Sequence, residues 1–141
     1  MRSLCAILLL ALAPLTHAQS ALTTVSERSG FVETGRYEEV VALCDAFACL
    51  YPKAVRCTTF GTTPERRPMK ALVASTSGAL TSEQAQRRGL PVVLIQGGIH
   101  AGEIDGKDAG FLALREVLEG RAAFGRGAER GAAHGLRIQA G

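Results

Sequence analysis

His100 and Glu103 are the two side chains in this sequence whose types and spacing best suit a chemical reaction. They lie three positions apart and follow a short apolar run and two glycines, Gly97 and Gly98. Zinc is bound in catalytic sites by imidazole nitrogen and carboxylate oxygen, usually from three protein ligands with one position left for water. The pair therefore predicts two ligands of one zinc ion. The structural alternative is that His100 caps the turn and that Glu103 is a first-turn carboxylate favoured by the helix dipole.

A strand and a helix must position this pair. Residues 92–95 are apolar and mostly β-branched, which predicts a central strand covered on both faces in an α/β sheet. Apolar residues then recur at helical spacing, at Phe111, Leu114 and Leu118. Gly120 predicts the end of that helix. Ligand sites of open α/β sheets lie just beyond the carboxyl ends of strands, which is where the pair falls.

The segment 97–108, GGIHAGEIDGKD, resembles the zinc-binding turn of the M14 zinc carboxypeptidases, the carboxypeptidase A family. The resemblance covers residues 37–120 and is most specific between residues 94 and 110. It implies that His100 and Glu103 are the first two zinc ligands, in a mixed-sheet α/β/α fold. It also implies that metal-activated water removes C-terminal residues from peptide substrates.

The chain departs from the family pattern after this turn. The family's third zinc ligand is a histidine far downstream, its general base is a glutamate, and arginines bind the substrate C-terminus. His134 lies too close to Glu103 to match the third ligand. Gly102 stands where many members have an arginine that contacts substrate. We therefore assign no catalytic residue, expect an incomplete zinc site, and interpret the chain as an inactive, truncated fragment.

Two other functions remain open from the sequence. A zinc-dependent deacylase of the same superfamily would share the ligand turn, because the residues that set specificity are missing. A secreted, non-catalytic binding module would not depend on zinc at His100 or Glu103. Metal dependence separates the last alternative from the first two.

The chain of 141 residues divides into three parts by composition. Residues 1–18 have the basic start, apolar middle and small-residue cleavage site of a secretory signal peptide, with an apolar run too short for a membrane span. The resemblance implies that residues 19–120 are the N-terminal part of a carboxypeptidase domain, beginning with a polar entry segment up to residue 36. We expect a periplasmic or secreted protein with no membrane association after cleavage; a retained anchor is the alternative.

Residues 121–141 are rich in Ala, Gly and Arg and show no strand or helix period. The tail carries four arginines and one glutamate, which matches the net charge of +3 of the whole chain. Such sparse charge, with Phe124 as the one aromatic residue, does not predict nucleic-acid binding. Codons can be chosen for residues 127–138 so that the neighbouring reading frame encodes apolar residues at helix-like spacing, followed by a strand-like ending. We therefore interpret the tail as frameshifted. A natural disordered tail is the alternative.

The remaining pattern predicts a helix over residues 36–50 and a hairpin with strands 55–60 and 69–75, followed by a connection over 75–89. An apolar stripe at helical spacing is expected to pack that helix onto the core, and it consists of Val40, Leu43, Cys44, Phe47 and Leu50. On the first helix, Glu38, Glu39 and Asp45 are expected to face water. Arg66 stands where the family has glycine in the hairpin loop, which predicts strain in a tight turn; Arg66 and Arg67 are otherwise expected to form a solvated loop tip.

Asp105, Lys107 and Asp108 begin the helix after the ligand turn. We interpret them as a solvated helical face. The alternative is that one of them holds a zinc ligand in place.

Cys44, Cys49 and Cys57 remain after signal cleavage. We interpret them as small buried hydrophobic residues. Cys44 and Cys49 lie on different faces of the predicted helix and make a poor pair, whereas Cys57 can bridge to either.

Overall fold

A mixed four-stranded β-sheet organises the described part of the chain in the computed structural model. Residues 21–100 and 102–121 are described in full, and residues 135–140 for the backbone alone. The strands are β1 (Val55–Thr62), β2 (Pro68–Ser75), β3 (Val92–Gly97) and β4 (Gly135–Ala140). Their order is β1-β2-β4-β3; β2 is antiparallel to β1 and β4, and β3 is parallel to β4. The predicted α/β class and the hairpin are confirmed.

Four helices lie in the described ranges: α1 (Val25–Arg28), α2 (Tyr37–Leu50), α3 (Ser82–Arg87) and α4 (Asp105–Leu118). The helix α3 occupies the segment that we predicted as a plain connection. It begins at a side-chain cap, in which the Thr81 hydroxyl accepts a hydrogen bond from the Gln84 backbone N–H. Threonine is a favoured N-cap residue, so Thr81 was the indication of this helix in the sequence. None of the helices that the structure describes is long and apolar enough to cross a membrane.

The core lies between α2, α4 and the sheet. Phe47 of α2 and Phe111 of α4 stack with ring centroids 5.9 Å apart, and both are fully buried. The predicted apolar stripe of α2 is confirmed except at Leu50, which is half exposed at the helix end. Burial of this stripe, rather than helix propensity, is what stabilises a helix of this length.

Among the strands that the structure describes, β3 lies at the edge of the sheet, so the prediction of a covered central strand is wrong. Its apolar side chains are 41–60% exposed, and they are Val92, Val93, Leu94 and Ile95. The strand pairs with β4 along one side, and its other side has no strand partner among the residues that the structure describes. The apolar pattern therefore indicates burial that the described elements do not provide.

The strand β4 lies in the tail that we predicted to lack secondary structure, and that prediction is wrong for residues 135–140. It pairs with β2 on one side and with β3 on the other. Backbone hydrogen bonds to two neighbours stabilise a six-residue strand whose own periodicity is weak. The predicted signal peptide, residues 1–18, and His134 lie outside the described residues.

The entry segment, residues 21–36, is packed onto the domain rather than merely leading into it. Its helix α1 begins with a capping box, in which Thr24 and Glu27 each bond the other's backbone N–H. Leu22 and Thr24 are fully buried, with 1% and 0% exposure. We predicted from its polar composition that this segment only leads into the domain. Part of it instead belongs to the core.

The hairpin loop between β1 and β2 contains Arg66 at φ +64°, a left-handed conformation that favours glycine. The expected strain at this position is therefore present. Arg66 and Arg67 are both exposed, as predicted. The guanidinium of Arg67 lies 5.3 Å from the centre of the Tyr37 ring, and the Tyr37 hydroxyl donates a hydrogen bond of 2.8 Å to the carbonyl of Pro68.

A disulfide joins Cys44 of α2 to Cys57 of β1, with the Cα atoms 5.3 Å apart. This is one of the bridges that the sequence left open, and it corrects our interpretation of these two cysteines as plain hydrophobic residues. Cys49 is an exposed free thiol, so that interpretation is wrong for it as well. A helix packed flat on a hairpin places one helical face against the strand, and Cys44 lies on that face while Cys49 does not.

Candidate metal-ligand turn

The turn between β3 and α4 carries His100 and Glu103. The strand ends at Gly97, and Gly98 turns the backbone at φ +70°. The backbone N–H of Glu103 donates a hydrogen bond of 3.1 Å to the carbonyl of His100, which closes the turn. The helix α4 then begins at Asp105. The predicted strand–glycine–helix arrangement is confirmed.

A close contact between two glycines fixes the ends of this turn. A Cβ built on Gly97 would lie 2.7 Å from the carbonyl carbon of Gly106, and one on Gly106 would lie 3.1 Å from the Cα of Gly97. Real Cβ atoms essentially never lie as close as 2.7 Å to such an atom. The end of β3 and the first turn of α4 therefore touch backbone to backbone, and this contact holds the two ends of the ligand turn close together.

His100 and Glu103 converge in that loop. The Nδ1 atom of His100 lies 2.8 Å from Oε1 of Glu103, and the two side chains are 76% and 59% exposed. Two ligand atoms bound at about 2.0–2.1 Å to one tetrahedral ion lie about 3.3 Å apart. At 2.8 Å the nitrogen and the oxygen are hydrogen-bonded to each other. A shared zinc ion would require them to separate by about 0.5 Å, on an open face that such an ion can reach.

The two residues are a partial ligand set. In residues 21–100, 102–121 and 135–140, no group of three or more His, Cys, Asp or Glu side chains is placed to bind a metal ion. The donor types fit zinc, and their number falls one short of the usual three protein ligands. Gly102, at φ +96°, has no neighbour within 4 Å of a built Cβ, so the space beside Glu103 is open.

Lys107 and Asp108 do not form the solvated face that we predicted. Their side chains are 10% and 11% exposed. The Lys107 ammonium lies 3.0 Å from Oε2 of Glu39 and 2.5 Å from Oδ1 of Asp108. Asp108 also accepts a hydrogen bond of 2.6 Å from the Thr34 hydroxyl. Glu39 lies on α2 and Thr34 on the entry segment, so Lys107 and Asp108 do not contact His100 or Glu103 directly. Of the three charged residues that begin α4, Asp105 is the exposed one.

Glu39, which we predicted to face water, is mostly buried. Its side chain is 11% exposed and accepts a hydrogen bond of 2.5 Å from the Val25 backbone as well as the bond from Lys107. The partners lie 14 and 68 positions away, and helical periodicity contains no information on such distant pairs. The sequence contained one indication of this ion pair. A lysine and an aspartate lie next to each other, directly after a glycine, in the first turn of α4.

A second buried ion pair joins α4 to the entry segment. Arg115, 7% exposed, donates hydrogen bonds of 3.0 Å to the Leu22 carbonyl and to Oε2 of Glu27, and its second nitrogen bonds Oε1 of the same carboxylate. Burial raises the pKa of Glu27, but the hydrogen bonds from Arg115 and from the Thr24 backbone outweigh it, so the pKa lies below its usual value.

The fold and this turn define a class: an α/β chain in which an imidazole nitrogen and a carboxylate oxygen, the donor types that zinc prefers, meet beyond the carboxyl end of a strand. Residues 40–126 match the Peptidase_M14 family, zinc carboxypeptidase. The match covers more than half of the chain, and the chain belongs to this family.

Solved structures show the same fold. The crystal structure of the carboxypeptidase A from Helicoverpa armigera superimposes with a TM-score of 0.60 over 89% of this chain, at 21% sequence identity. The chain spans 30% of the length of that structure. No sequence among curated proteins matches the chain.

Proposed function

We propose that this chain is the N-terminal part of a metallocarboxypeptidase-type hydrolase, in which His100 and Glu103 are two ligands of one zinc ion. The observation that carries the proposal is the convergence of His100 Nδ1 and Glu103 Oε1 to 2.8 Å at the end of β3. Membership of the zinc carboxypeptidase family supports both the metal and the peptide substrate. We further propose that residues 1–18 direct export.

The described residues can perform the metal-holding part of the reaction. His100 would bind through its neutral imidazole, and Glu103 would contribute a negative charge that offsets the charge of the cation. Zinc, when bound, polarises a carbonyl and lowers the pKa of its water. The exposure of both side chains leaves room for a substrate, and the open space at Gly102 places no side chain between substrate and ligands.

Cleavage also requires a third ligand, a general base and groups that bind the peptide carboxylate. In the part of the chain that the structure describes, no third metal-binding side chain joins the pair. We therefore propose that the chain alone binds zinc weakly and does not hydrolyse peptides.

The test is a zinc titration of the purified chain by calorimetry, compared with His100→Ala and Glu103→Ala. Loss of an outer-shell partner of a metal ligand costs roughly 10–100-fold in affinity, so loss of either ligand should cost at least about tenfold. Asp105→Ala is the matched control, because it removes an exposed carboxylate two positions from Glu103 and should leave the affinity unchanged.

Equal zinc affinity in all four proteins would overturn the proposal and favour a secreted binding module that does not depend on metal. Tight, stoichiometric zinc that both ligand variants lose would support the ligands but overturn the weak binding, because it requires a third ligand from outside the described residues.

A further inference from the structure

Glu39 joins three segments of the chain at one carboxylate. Its Oε1 accepts a hydrogen bond of 2.5 Å from the Val25 backbone in the entry segment, and the Arg28 guanidinium lies 3.9 Å away. Its Oε2 lies 3.0 Å from the Lys107 ammonium on α4. Glu39 and Lys107 are 11% and 10% exposed, so their charges interact in surroundings from which most water is excluded.

This ion pair bears on the ligand turn because of where Lys107 lies. Lys107 follows Gly106, whose backbone is packed against Gly97 at the end of β3. The first turn of α4 is thus held by β3 on one side and by Glu39 of α2 on the other. His100 and Glu103 lie in the loop between the two glycines, so a movement of the helix start moves Glu103 with it.

We propose that Lys107 is a positioning residue for the metal-ligand turn: its bond to Glu39 fixes the start of α4 and thereby the direction of the Glu103 carboxylate. The effect on zinc rests on the proposed function; the effect on the geometry of the turn does not. A buried ion pair often adds little net stability, and its removal is harmful chiefly because one charge is left without a partner. The value of this pair lies in the fixed distance between α2 and α4.

The same helix provides a matched control. Arg115 forms the other buried ion pair of α4, with Glu27, and these side chains are 9% and 14% exposed. Both pairs join α4 to elements earlier in the chain, but Arg115 lies two turns beyond Lys107 and has no part in the helix start. Lys107→Met and Arg115→Met should both lower global stability, whereas Lys107→Met alone should disturb the turn.

Two measurements on the full chain test this. The first is hydrogen exchange at the Glu103 amide, which is bonded to the His100 carbonyl at 3.1 Å. After correction for global stability, exchange at this amide should accelerate about tenfold in Lys107→Met and stay unchanged in Arg115→Met. The second is zinc affinity, which should fall about tenfold in Lys107→Met alone, the lower end of the effect of outer-shell changes. Lys107→Arg, which keeps the charge, should recover most of both.

If Lys107→Met does not fold, Glu39→Gln with Lys107→Met removes both charges of the pair and leaves an amide oxygen for the Val25 N–H, while Asp108 keeps its hydrogen bond from the Thr34 hydroxyl. Equal effects of the Lys107 and Arg115 variants on the Glu103 amide would overturn the proposal, as would no effect of the double variant. Wild-type chain that binds no zinc, together with a selective change at the Glu103 amide, would overturn the metal assignment and leave the positioning role supported.

Discussion

Gly97→Ala tests whether the contact between β3 and α4 sets the stability of the domain. The new Cβ would lie 2.7 Å from the carbonyl carbon of Gly106, 2.9 Å from its oxygen and 3.1 Å from its Cα. Ordinary contact begins at 3.4 Å, so the strand end and the helix start must separate by about 0.7 Å. All three neighbours are backbone atoms, and no side-chain rotation can relieve the clash. Overpacking of this kind costs about 1–3 kcal/mol.

Gly61→Ala is the matched control, because Gly61 is also a strand glycine without a positive φ. Its built Cβ meets only the Met69 sulfur, at 3.4 Å, which is an ordinary contact with a flexible side chain. Alanine loses less conformational entropy on folding than glycine, so the variant should be neutral or more stable by about 0.5–1 kcal/mol.

The assay is urea denaturation of the three proteins, followed by circular dichroism. Gly97→Ala should lower the unfolding free energy by about 1–3 kcal/mol with an unchanged m-value, and it should lower Tm by about 4–12 °C. If Gly97→Ala and Gly61→Ala differed by less than about 0.5 kcal/mol, the contact between the two glycines would not be the constraint that we infer.

Arg66→Gly should raise the unfolding free energy by about 0.5–1 kcal/mol in the same denaturation assay, because it relieves a left-handed backbone at φ +64° and loses part of that gain to the entropy of glycine. The stability of the wild-type chain should fall as pH decreases from 4.5 through the lowered pKa of Glu27, since the unfolded chain takes up the proton first, and Glu27→Gln should flatten that part of the profile. Reduction of the Cys44–Cys57 disulfide, which closes a sequence separation of 13, should cost about 3 kcal/mol of stability, measured by denaturation with and without reductant.

Each of these predictions has a control in the chain. Arg67→Gly, in the same exposed loop, should give no gain, because it removes the stacking on Tyr37 and relieves no positive φ. Glu38→Gln changes an exposed carboxylate of α2 and should keep the wild-type loss of stability at low pH. Cys49→Ser should leave the effect of reductant intact; an equal reductant effect in Cys44→Ser would show that this disulfide is not responsible.

Local patterns predicted the parts of the fold that local forces determine. The apolar stripe of α2, the hairpin and the strand–glycine–helix unit around His100 all follow from periodicities of 3.6 and 2 and from glycine at turns. The site pair was predicted because its two members lie three positions apart, within one loop. The strained conformation of Arg66 was predicted from a single missing glycine.

The errors concern contacts between segments distant in sequence. Glu39 and Lys107 were placed in water because each is polar on a helical surface, yet they pair with one another across 68 positions. The exposure of β3 was missed for the opposite reason. The residues of this strand specify two covered faces, and among the described elements α4 and β4 are the ones that adjoin it. The composition of a strand indicates whether its faces need to be covered. It does not indicate which helices or strands cover them.

The entry segment has a consequence for the timing of folding. Arg115 reaches back 93 positions to Leu22 and 88 positions to Glu27. A ribosome adds roughly 5–20 residues per second, so the early partners exist for about 4–18 s before Arg115 is made. Leu22 is 1% exposed in the folded chain and has no α4 to cover it during that time. The entry segment is synthesised early and is among the last to be docked, and for several seconds it is open to chaperones and to proteases.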